Sequence, residues 1–185
     1  MFRTTDLRVN SYELRPAFDA YLRRRGPSSP VKTLSDLIAT GKYLKGGSQE
    51  LRFRETMKVG PLDTDAGYLS RLELQRTIRS LLVEIMAHYS LDALVYPVKA
   101  LPAPMLGNSD DGPRDNSISS TTGLPAIVLP AGLSEEGLPL ALELLGRPFS
   151  EPALLQLAYA FERASHARVA PKTTPHLPGE VFTYK

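Results

Sequence analysis

Apolar residues recur at helical spacing through the first half of the chain and condense into short unbroken runs in the second. Between Ser11 and Arg25, the side chains of Tyr12, Leu14, Ala17, Phe18, Tyr21 and Leu22 fall near one helical face. Arg23-Arg24-Arg25 and the following Gly26-Pro27 end that helix, because cations complement the C-terminal dipole and proline cannot continue the ladder. Gly26 to Pro30 reads as a linker. Thr33-Leu34-Ser35-Asp36 then opens a small helix, with Thr33 as N-cap and Asp36 in the capping-box position, and Gly41 closes it. Ser48 caps the next helix, which begins at Gln49. After the break at Gly60-Pro61 one long helix is predicted from Thr64 to about Tyr89, capped by Thr64 or Asp63. Its apolar stripe is Leu74, Ile78, Leu81, Leu82, Ile85 and Tyr89. Arg71, Arg76 and Arg79, among Glu73 and Glu84, read as its solvated face.

The second half changes period. Leu91 to Tyr96 is a short apolar run ended by Pro97, which after a helix is the grammar of α/β packing. Val98 to Arg114, rich in Pro, Gly, Asn and Asp, has no periodicity and is expected as a loop. Two further runs, Pro125 to Pro130 and Leu138 to Leu145, are separated by Ser134-Glu135-Glu136-Gly137 and predict a hairpin. Burial of Ile127, Val128 and Leu129 would contribute about 1.5–3 kcal/mol each. Ser150-Glu151-Pro152 starts a last helix, Ser150 capping it, with Leu154, Leu157, Ala158 and Phe161 inward. Lys172 to Lys185 lacks periodicity and is expected as a tail. The fold class is α/β.

Composition removes several classes. A formal charge of +2 is too small to argue for nucleic acid or an anionic membrane. The Arg23–Arg25 run has no second basic cluster beside it, so it reads as a helix end. Zero cysteines rule out disulfides and thiolate chemistry. No apolar run approaches the ~20 residues of a membrane span, and Met1 to Asn10 has no signal-peptide core. These features predict a cytoplasmic protein. His88, His166 and His176 lack ligand spacing, so no metal site is expected.

Two stretches invite a chemical reading. Lys45-Gly46-Gly47-Ser48 superficially has the parts of a Ser/Lys nucleophile, but a helix follows at once and helix capping accounts for the serine. Asn116-Ser117-Ile118-Ser119-Ser120-Thr121-Thr122-Gly123, expected as a loop held by strands, gathers hydroxyls and an amide that can contact a ligand. The same residue types also bond their own backbone in turns, and that reading stands beside the first.

The hydroxyl-rich loop, GLPAIVLPAG, GLPLALELLG, RPFSEPALLQLAYAFERA and the closing Arg168 to Pro171 together resemble the C-terminal end of the amidase signature family. LDALVYPV and SYELRPAFDAYL extend the likeness more weakly over nearly the whole chain. The resemblance implies hydrolysis of amide C–N bonds by a Ser nucleophile, a second Ser with a cis peptide and a Lys base. It implies no metal and no cofactor.

The family's Gly/Ser-rich signature, which carries the nucleophile, has no counterpart here, so no catalytic residue is assigned. Lys99 is the one lysine near a plausible pocket. By the resemblance Asn116, Ser119 and Thr122 lie beside the substrate pocket. The 185 residues are then expected to form a single partial domain: 1–90 mostly helical, 91–170 strands plus the last helix, 171–185 a tail. Its strands would belong to a mixed β-sheet flanked by helices.

The expected partners are a small-molecule amide in the full-length enzyme, a missing N-terminal amidase segment, and a second copy through self-association. A stand-alone non-catalytic binding protein on the same scaffold, or an amidotransferase-related subunit, is the alternative.

Overall fold

A computed structural model describes residues 7–99, 103, 105, 118–170 and 179. Most of the expected 98–114 loop and 171–185 tail lies outside them. Helices α1 (Asn10–Arg25), α2 (Leu34–Thr40), α3 (Ser48–Thr56) and α4 (Ala66–His88) precede strand β1 (Ala93–Pro97). A short helix α5 (Ile118–Thr122), strands β2 (Ala126–Leu133) and β3 (Pro139–Gly146), and helix α6 (Glu151–Ser165) follow. The chain divides into two compact units. One holds α1 to α4 and Ser120–Gly123; the other holds β1, Ile118, Ser119 and the described residues from Leu124 onward.

In the first unit local chemistry sets the helix ends. Thr33 Oγ1 accepts from the Asp36 N–H at 3.1 Å, and Asp36 Oδ2 accepts from the Thr33 N–H at 2.9 Å, so the capping box is complete. Gly41, at φ 64°, closes α2 in the left-handed conformation that glycine adopts at no steric cost. The Lys32 N–H and then Thr33 hold the Asp36 carboxyl below its ordinary range. Because the folded value is the lower one, this contribution is complete above the ordinary carboxylate range and is lost as pH falls through the lowered value. Thr33→Ala should cost about 1 kcal/mol of stability in urea titrations followed by circular dichroism. An unchanged midpoint would mean that the cap is not formed in solution.

Two other caps lie one or two residues from their expected places. Gly47, not Ser48, is the N-cap of α3. At α4 the cap is Asp65, whose Oδ1 accepts the Tyr68 N–H at 2.9 Å.

The inward stripe of α4 also differs from expectation. Met86 is buried, while Leu81, Ile85 and Tyr89 are exposed. Arg71 and Arg79 are half-buried rather than solvated. Arg71 Nη1 donates to the Tyr12 hydroxyl at 2.9 Å, with the guanidinium 5.1 Å from the ring centroid. Only Arg76 of the three keeps the expected role, in a loose, exposed ion pair with Glu73. Tyr68 Oη donates to Glu13 Oε1 at 2.7 Å, which raises the phenol's pKa. The Arg15 N–H, next to Pro16 inside α1, donates to the buried Thr56 hydroxyl at 3.3 Å.

The second unit is built on an antiparallel sheet with strand order β1-β3-β2. The expected hairpin is present as β2 and β3, with Tyr96 of β1 opposite Glu143 and Ile127 of β2 opposite Leu144. Period-two alternation puts Ile127, Leu129, Leu142 and Leu144 on one face. There Leu129 and Leu144 pack with Leu154 and Ala158 of α6, and Ala93, Ile127 and Phe161 surround them.

Val128 points the other way and is 52% exposed, against the expected burial. Leu157 is likewise exposed, one position off the stripe of α6. Ser150 occupies the N-cap of α6, yet its hydroxyl donates back to the Arg147 carbonyl at 2.7 Å instead of capping. Leu145, Glu143 and Tyr96 share the sheet face away from α6. The Tyr96 hydroxyl donates to the buried Glu143 carboxylate, directly across the strands.

Candidate functional site

The hydroxyl-rich stretch is not a loop throughout, because Ile118 to Thr122 make the single helical turn of α5. Asn116 lies outside the described residues. Ser119 is half-buried and its Oγ donates to the Leu124 carbonyl at 2.8 Å, a bond across the turn that leads into β2. Thr122 is 6% exposed, and its carbonyl accepts from Arg79 Nη1 at 2.7 Å. The adjacent Gly123 sits at φ 66°, where a Cβ would lie 3.2 Å from the same guanidinium nitrogen. A cation thus sits at the carbonyl end of the turn, the favourable sign for that end of a helix. Ser119 is thus held by a backbone carbonyl, and the Thr122 carbonyl by the Arg79 side chain. The sequence places Arg79 on the solvated face of α4, whereas its guanidinium is half-buried and bonded to a carbonyl 43 positions away in the chain.

The Lys45–Ser48 loop does not form an oxyanion cradle. The Gly46 N–H donates to Glu50 Oε2 at 2.8 Å, so that donor is already committed. This bond and then Arg54 hold the Glu50 carboxyl below its ordinary range. In the first unit a groove of about 480 Å³ runs along α1, lined by Tyr12, Arg15, Asp19, Arg23 and Thr56 among others. Asp19 is engaged there, its Oδ1 accepting the Leu34 N–H at 2.7 Å. In the second unit a groove of about 330 Å³ opens between Pro130 of β2 and the end of α6, at Glu162, His166 and Arg168. Among the described residues no group of three or more His, Asp or Glu stands close enough to hold a metal ion. No described helix is long and apolar enough to cross a membrane.

The helices, the antiparallel hairpin and the C-terminal helix define an α/β protein with an amidase signature fold. Its residues 31–155 match the amidase family model, and the chain belongs to the amidase family. It is 36% identical over 129 residues to the A subunit of glutamyl-tRNA(Gln) amidotransferase from Parvibaculum lavamentivorans, a match covering 64% of this chain and 26% of that protein. With the corresponding protein of Myxococcus xanthus the identity is 35% over 143 residues, covering 72% and 29%. The fold superposes on the native peptide amidase from Stenotrophomonas maltophilia with a TM-score of 0.71 and 27% identity, covering 86% of this chain and 33% of that one. The chain therefore spans about a quarter to a third of the length of these relatives.

Proposed function

We propose that these 185 residues are a single partial domain, the C-terminal portion of an amidase of the Ser–cis-Ser–Lys type. They supply scaffold and one wall of the substrate pocket and do not turn over amides alone. The observation that carries this reading is the span of the match. The chain aligns with no more than about a third of the relatives above, and it lacks the Gly/Ser-rich signature that resemblance to the family would require.

The exposed apolar positions agree with it. Leu81 and Ile85, one turn apart on α4, and Val128 on β2 face solvent, as apolar positions do on a surface that another segment covers. On this reading Asn116, Ser119 and Thr122 belong to the pocket wall. The partners are a small-molecule amide, an N-terminal amidase segment and, without that segment, a second copy of the chain. The setting is cytoplasmic. A second reading, as part of an amidotransferase, is favoured by the identities to the amidotransferase proteins.

Without nucleophile, base and oxyanion donors, a shaped wall binds but does not accelerate. The purified chain should show no amide or ester turnover above background. Activity that disappears on Lys99→Ala would overturn the proposal. DNA upstream of Met1 that continues the reading frame into a Gly/Ser-rich stretch would support it, and a ribosome-binding site directly before Met1 would favour a stand-alone protein.

A further inference from the structure

We draw no further inference here: the strongest candidate, the groove along α1 flanked by Arg15 and Arg23, carries nothing, because the chain spans about a quarter to a third of the length of its relatives and nothing in the structure shows what covers that groove.

Discussion

Leu154→Ala should lower the unfolding free energy by about 3–5 kcal/mol, toward the upper end of the range for a buried leucine. Leu154 is 2% exposed and packs against Leu129, Leu144 and Ala158 where α6 crosses the hairpin. Beneath it lies Gly146, where an added Cβ would come within 3.0 Å of Leu154 Cδ1. The leucine fills space that the strand leaves free by having no side chain there. Alanine would empty that space, and the surroundings have little freedom to close it. β3 is held on both sides by its ladders to β1 and β2, so its backbone cannot sink toward the helix. Chemical denaturation followed by circular dichroism measures the loss, and a change under about 1 kcal/mol would mean that this core is loosely formed.

Tyr96→Phe should cost about 1–3 kcal/mol, because it strips a buried carboxylate of a donor. Glu143 is 5% exposed and lies opposite Tyr96 in the ladder, in the middle of the sheet where water has poor access. Leaving one member of a buried polar pair unsatisfied costs more than removing both. The double variant Tyr96→Phe/Glu143→Leu should therefore recover much of the stability lost in Tyr96→Phe alone. A double-mutant cycle reads that coupling directly, and additive effects would show that the two groups do not depend on each other.

Features fixed by neighbours in sequence were the legible ones. Thr33, Asp36 and Gly41 define α2 because a capping box and a left-handed glycine are decided within a few residues. Pro125–Pro130 and Leu138–Leu145 announced the hairpin because turn chemistry and run length agreed. Orientation was harder. Periodicity says that α4 has an apolar stripe, yet which residues turn inward depends on what packs there, so Met86 and not Ile85 is buried. Arg79 and Glu143 were unreadable for a related reason. A charged side chain on an inward position acquires meaning only from a distant partner, here the Thr122 carbonyl and the Tyr96 hydroxyl. At the candidate site, the Ser/Thr-rich composition suggested a loop and concealed α5, because those residues favour local bonds that serve a turn or a short helix alike.

The strand order has a consequence for the time course of folding. β2, β3 and α6 are consecutive along the chain, and their mutual docking closes only short loops. β1 must find β3 across the 47 positions between Tyr96 and Glu143, a closure of larger entropic cost. The hairpin and its helix should therefore condense early, with β1 annealing last and peeling first. In a quench-flow labelling experiment the amides of Leu142 and Leu144 would gain protection ahead of those of Leu94 and Tyr96, and the reverse sequence of events would refute this ordering.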